Sequence, residues 1–270
     1  MTALIANARM YSVSHSARED WKRLLDWVVT RAGLHWRVID YDAPAPLAAL
    51  WARNDLGAVM MCGLPFAQRL PRPQLLAAPR PVLRRYGNQP IYFTDLVVAD
   101  HSPYRTLEDT FGTCIGYTLA DSMSGGVALR HYLMPYRAAR GGERLYRKAL
   151  GNLINARGVI AALVAGEIDI GPLDSYYHAL LHVHDPALAS RVRVIATTPP
   201  MPIPPVISTA MLDAQTLERV RAAFREVETS DELASLRARL LLAGFALPAE
   251  TDYEQLAAIA NRPMPAFEAL

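Results

Sequence analysis

The chain has 270 residues, 51% of them hydrophobic and 20% charged, and a formal net charge of +2. This is a globular composition with ample apolar material for one large domain or two ordinary ones. Acids and bases are interspersed, and the absence of a basic run or a basic–aromatic stripe excludes the usual signature of nucleic-acid binding.

The first residues, MTALIANARMYS, lack the basic region, apolar core and small-residue cleavage site of an export signal. As written, the chain is therefore expected to be cytoplasmic. No apolar run reaches the ~18 residues of a membrane span, so membrane insertion is not expected. Ala3 to Ala6 reads as a buried strand. Ser14 and Ser16 then offer N-caps to a helix carrying Trp21, Leu24, Leu25, Val28 and Ala32, which Gly33 stops. Trp36 to Ile39 is a second strand. Pro44 and Pro46 turn the chain into a short helix through Leu47, Leu50 and Trp51, and Gly57 to Met61 is a third strand. The alternation predicts a parallel sheet with helices on its faces.

Pro71, Pro73, Pro79, Pro81 and Pro90 mark a stretch that cannot be helical, read here as an irregular edge segment leading into a long strand from Ile91 to Ala99. The α/β pattern then restarts. Strands are expected at Thr113–Gly116, Ile168–Gly171 and Val192–Ala196, and helices at Ser124–Leu133, Arg157–Ala165 and Ser175–Leu181. Five prolines between Pro199 and Pro205 hold a return crossing extended, and Val206 to Ser208 follows as a strand. The tail repeats apolar residues at helical spacing (Leu217, Val220, Phe224, Val227; then Leu233, Leu236, Leu240) and offers no strand. Its helices are expected to cover the first unit. The result is a discontinuous N-terminal lobe, 1–97 with 200–270, interrupted by a second lobe at 98–199, with two hinge crossings.

The sharpest local signal runs from Gly116 to Gly126. A short strand ends there, and a small, hydroxyl-rich loop containing Tyr117, Asp121, Ser122, Ser124 and Gly125 opens a helix. Helix-start amides lack internal partners and carry partial positive charge, so such a loop can cradle an anion. The alternative is that Asp121, Ser122 or Ser124 simply caps the helix. A second signal is Asp174, at the expected C-terminal end of a strand, where open α/β sheets place ligands. It either meets a ligand or caps the next helix. Tyr11, Tyr92, Tyr117, Tyr176 and Tyr177 could give a cleft apolar walls with polar tips. His178 and His182 share a helix face, but without the glutamate of a zinc-protease motif or a further ligand they predict no metal. No cofactor motif is present, and Cys62 and Cys114 read as separate buried thiols.

In order along the chain, several segments resemble the phosphonate/phosphate-type substrate-binding proteins of ABC transporters, a type 2 periplasmic binding protein family. They are Met10-Tyr11, Cys62-Gly63-Leu64-Pro65, Tyr92-Phe93-Thr94 leading into Leu96-Val97-Val98, Leu107-Glu108-Asp109, Asp121 to Gly125, and Gly166 to Asp174. The resemblance implies a two-lobed α/β fold, a periplasmic location, an ABC permease as partner and no chemistry. It also implies that Ser122, Ser124 and Gly125 grip an anionic head while Tyr11, Tyr92 and Asp174 line the cleft. One departure stands out: where the family has Gly-Ser-His, this chain has Ile154-Asn155-Ala156, which implies a ligand other than a simple phosphonate. The competing reading is a cofactor-independent lyase or dehydratase on the same fold, with Asp174 as its proton-transfer group.

Overall fold

The computed structural model describes residues 3–42 and 45–270. The expected turn residue Pro44 lies outside the described residues. In chain order the elements are β1 (Ile5–Asn7), α1 (His15–Arg31), β2 (Arg37–Val38), α2 (Leu47–Trp51), β3 (Leu56–Met60), α3 (Gly63–Gln68) and β4 (Gln74–Pro81). Next come β5 (Ile91–Tyr92), β6 (Thr94–Ala99), β7 (Cys114–Gly116), a π-helical turn at Met123–Val127 continuing into α4 (Ala128–Ala139), β8 (Lys148–Leu150) and α5 (Ala156–Val164). They are followed by β9 (Gly171–Asp174), α6 (Ser175–His184), α7 (Pro186–Ala189), β10 (Val192–Thr197), β11 (Met201–Pro202) and β12 (Val206–Ser208). The last are α8 (Ala214–Glu226), α9 (Ala234–Arg239), β13 (Leu242–Ala246) and α10 (Glu254–Ala260). Cys62 and Cys114 are buried free thiols.

The chain divides into two compact units, Met1–Ile91 with Pro202–Glu254 and Tyr92–Met201 with Gln255–Leu270. The first is built on a six-stranded sheet in the order β13-β4-β12-β3-β1-β2. Only β1 pairs in parallel, with β2 and β3; β12 and β13 join antiparallel, so the sheet is mixed rather than parallel. Ser14 caps α1 by accepting the Ala17 amide at 3.1 Å, and the helix buries Trp21, Leu24, Leu25, Val28 and Val29. Its neighbours include β1, α8 and α9. The buried Asp20 carboxylate accepts two bonds from Arg239 at 2.8 and 2.7 Å, which ties α1 to α9.

Two expectations are corrected here. The proline-rich segment is not an irregular edge. Most of its first half is β4, an interior strand between β13 and β12. Backbone donors alternate between the two neighbours of a strand. Val82 donates to Leu241 on the β13 side at 2.8 Å, so the donors missing at Pro79 and Pro81 fall on the other side. There β12 pairs only with positions from Gln74 to Ala77, and no ladder bond is lost. The tail, in turn, does contain a strand, β13, which pairs with β4 from Pro81 to Ala78.

The second unit holds an antiparallel sheet in the order β10-β6-β9 and a parallel pair, β7 with β8, which a parallel bridge from Ile115 to Ile170 joins to the approach of β9. The expected strand Ile168–Gly171 thus lies a few residues late, at Gly171–Asp174. The expected long strand Ile91–Ala99 is broken at Phe93. The core gathers Leu96, Val98, Ile115, Leu129, Leu133 and Ile170 with Phe267 and Leu270. Those last two residues carry a further correction. α8 and α9 do pack on the first unit, against α1, β4 and β13, but residues from Gln255 onward belong to the second. The chain therefore passes between units a third time, because Phe267 and Leu270 are the apolar residues that complete the second core.

Replacing Phe224 tests how α8 is held. Its ring is 1% exposed and lies 4.8 Å from that of Phe245. Phe224→Ala is expected to cost about 3–5 kcal/mol. Urea unfolding followed by tryptophan fluorescence would measure it, since all four tryptophans (Trp21, Trp27, Trp36 and Trp51) lie in the same unit as Phe224.

Candidate functional site

Because β7, β8 and the approach to β9 run parallel, their C-terminal ends share one edge of the second unit. Each hands over to a helix there. Ser122 caps the turn at Met123, its hydroxyl accepting the Gly125 amide at 3.3 Å. Asn155 caps α5 by accepting from Gly158 at 3.1 Å. Asp174 caps α6, its Oδ1 accepting from Tyr176 at 2.9 Å and Tyr177 at 3.0 Å. Three helix starts, each with partial positive charge, thus gather at one sheet end, although at α6 the first three amides are taken by the Phe93 carbonyl and the Asp174 carboxylate. Such an end offers backbone donors to an anion.

The loop before Met123 is folded tightly on the helix it opens. Thr118 donates its amide to the Gly125 carbonyl at 3.1 Å, and Ser122 donates to Leu119 at 3.1 Å. A Cβ on Gly125 would lie 1.7 Å from the Thr118 hydroxyl, and one on Gly126 2.4 Å from the Leu119 carbonyl oxygen, so only glycine fits either position. The Thr94 hydroxyl donates to the Ser124 carbonyl at 3.1 Å, fastening the turn to β6. Arg130 donates from Nη2 to the Ala120 carbonyl at 3.0 Å. That cation offsets a carbonyl that would otherwise repel an anion.

Tyr117, Ser122, Ser124, Gly125, Asp174 and Tyr176 all lie at this end, but with different tasks. Ser122 and Asp174 spend oxygens on helix capping, the alternative that the sequence left open. Ser124 is half-buried. Tyr117 does not form an open wall: its ring stacks on Phe267 at 3.8 Å and 4°. Tyr176 is fully buried and Tyr92 is 1% exposed. Tyr11 belongs to the first unit, where it is buried and its carbonyl accepts the Trp21 indole at 3.1 Å. Arg157, at the start of α5, pairs with Asp185 at 2.8 Å. His178 is buried with Nδ1 3.6 Å from Asp95 and its ring 4.8 Å from that of His182. Burial first, and the neighbouring His178 second, hold the His182 imidazole below its usual pKa.

Sequence reasoning missed Asn155, Thr118, Arg130 and Phe267. Asn155 carried a readable signal, an N-cap residue before an apolar helical run. Arg130 and Phe267 carried none, since folding alone brings them to the loop.

Residues 11–253 match the family model described as the periplasmic phosphonate substrate-binding protein of ABC transporters. Among solved structures, a binding-protein component of an ABC phosphonate transporter from Pseudomonas aeruginosa aligns with TM-score 0.76 at 16% identity, over 96% of this chain and 86% of that one. PhnD1 from Prochlorococcus marinus in complex with methylphosphonate aligns with TM-score 0.76 at 14% identity, over 95% and 96%. A Xanthomonas citri protein bound to ATP aligns with TM-score 0.64 at 18% identity, over 96% of each chain. At these identities the likeness is one of fold. No curated protein matches the chain.

Two substitutions separate the loop's two constraints. Ser122→Ala removes one cap and is expected to cost about 1 kcal/mol. Gly125→Ala is expected to cost clearly more, because the Thr118 side chain occupies the space that its methyl needs. Adding Thr118→Gly to Gly125→Ala should recover part of the loss. Calorimetric melting of the four proteins checks the order.

Proposed function

We propose how this chain, which belongs to the family of periplasmic phosphonate substrate-binding proteins of ABC transporters, recognises its solute: the three helix starts of the second unit receive a small ligand through a singly charged acidic head. The gathering of those three starts at one sheet end carries the reading. Each start contributes roughly half a unit of positive charge. Arg157 is paired with Asp185, and Arg130, which keeps its charge, is held at the Ala120 carbonyl. The Asp174 carboxylate stands at the third start and adds negative charge there. This balance favours a monoanion over a dianion, and it lets Asp174 accept from an amine or hydroxyl on the same ligand. Ser124, a half-buried residue, is the side-chain donor proposed for the head, supported by the Ser122 cap and the bare backbone at Gly125. Tyr92 and Tyr176, in the same unit, are proposed to complete the site as apolar walls for a body larger than methyl. An ABC permease is the proposed partner for delivery. Among the described residues no helix is long and apolar enough to cross a membrane.

A thermal-shift screen with inorganic phosphate, methylphosphonate, butyrate and nicotinate tests the charge argument. Run at a pH well above the second ionisation of the phosphorus acids, where these are dianions, the screen is expected to show the organic acids raising the melting temperature and the phosphorus dianions leaving it unchanged. Tight binding of phosphate or methylphosphonate with the acids inert would overturn the monoanion reading. Ser124→Ala is expected to weaken the best ligand at least tenfold by calorimetry, since a hydrogen bond to a charged group contributes about 1.5–3 kcal/mol.

A further inference from the structure

We infer that Phe267, which lies about 150 residues beyond the serine loop in the chain, is a positioning residue for that loop, and that the tail from Gln255 onward is thereby part of the recognition machinery. The inference rests on the reading of the loop as the ligand cradle.

Besides the Ser122 cap and the Thr94 bond to the Ser124 carbonyl, two side chains anchor the loop from Tyr117 to Ser122, one at its start and one in its middle. The first is the Tyr117 ring. One neighbour is the bare backbone of Gly151, where a Cβ would lie 2.0 Å from the ring. The other is Phe267, stacked in parallel at 3.8 Å. The second anchor is Arg130, which holds the Ala120 carbonyl from Nη2 while its guanidinium carbon lies 5.2 Å from the Phe267 ring centre. Phe267 thus contacts Tyr117 through ring stacking and Arg130 through a cation–π contact. It is itself firmly seated. It is 4% exposed, and three residues on the fully buried Leu270 accepts the amides of Leu145 at 2.8 Å and Tyr146 at 3.2 Å. Leu145 and Tyr146 open the segment that becomes β8, whose end leads to the Asn155 helix start.

The consequence follows from the cost of ordering a binding loop. A cradle made of backbone amides and one hydroxyl binds well only if those donors already point the right way, since ordering them on binding subtracts from affinity. Within the loop, two backbone bonds hold the middle, from Thr118 to Gly125 and from Ser122 to Leu119. Removing the Phe267 ring would loosen the Tyr117 and Ala120 anchors together, and the donors at Met123 to Gly125 would lose their fixed aim. A residue that only filled the core would act otherwise, lowering the stability of the whole second unit evenly.

Amide hydrogen exchange on the ligand-free full chain distinguishes the two roles. Phe267→Ala is expected to speed exchange of amides 117–125 at least tenfold more than those of β6 and β9. Phe267→Tyr, which keeps the aromatic face, should restore protection, whereas Phe267→Leu, apolar but without that face, should not. An even rise across the second unit, or full protection in Phe267→Leu, would overturn the inference. Should Phe267→Ala not fold, the leucine and tyrosine variants decide the question alone. A second arm measures nicotinate and methylphosphonate binding to the wild type, Phe267→Leu and Ser124→Ala. Loosened loop exchange with binding unchanged in both variants would sink the cradle reading and leave the positioning of the loop intact. Weakened binding in Ser124→Ala alone, with loop exchange unchanged in Phe267→Leu, would sink the positioning role and leave the cradle.

Discussion

The closure of the Thr118–Gly126 loop onto the helix it opens is the constraint on which the rest of the site depends. A carbonyl and a hydroxyl occupy the space where side chains at positions 125 and 126 would stand. With that space given up, the loop can lie against the first helical turn, and the Ser122 hydroxyl can reach the Gly125 amide. The turn then runs as a π-helical bulge, with the Val127 amide bonded to the Ser122 carbonyl at 2.9 Å. Bulges of this kind widen a helix locally and occur often at functional sites. Here the bulge ends the loop with the small residues Ser124, Gly125 and Gly126, which leave an approaching anion few side-chain atoms to meet.

Around this closure the second unit repeats one arrangement three times: a parallel strand end, a capping residue and a helix. The three caps differ in charge. Ser122 and Asn155 are neutral acceptors, while Asp174 is a carboxylate already receiving two amides. Positive potential from the helix starts is therefore balanced by one negative charge on the same rim. The first unit contributes a different kind of order. Its mixed sheet accepts a proline-bearing interior strand because the missing donors fall where no neighbour remains to be paired. Its helices α8 and α9 cover the sheet and lock to α1 through the Asp20–Arg239 pair. A cation shared between two elements in this way contributes more to register than to net stability, since one partner is about half exposed.

The chain divides its tail between the two units, and that division separates what could be read from what could not. Apolar spacing in α8 and α9 is a local property, so their existence and their need for a surface to cover were legible. The assignment of Gln255 to Leu270 to the second unit was not, because Phe267 and Leu270 carry no periodic pattern. They are recognised only by the slot that awaits them beside Tyr117 and Tyr146. In the same way β4 was misread because prolines are scored against their own segment, whereas their cost depends on whether a neighbouring strand is present on that side.

From the sequence alone came the α/β alternation, the interruption of one lobe by another, the serine-rich helix start and the order of motifs that points to the family. All of these are local patterns or their sequence along the chain, governed by turn chemistry, capping and periodicity within a few residues. Only the tertiary structure decided that Ser122 and Asp174 spend oxygens on capping, that Arg157 is taken by Asp185, that Arg130 supports the loop, and that Phe267 stands behind Tyr117. Each of these depends on which partner arrives from elsewhere in the fold. A hydroxyl, a guanidinium or a ring has the same local propensity whether it meets a ligand or a neighbour; the packing of the whole chain decides which.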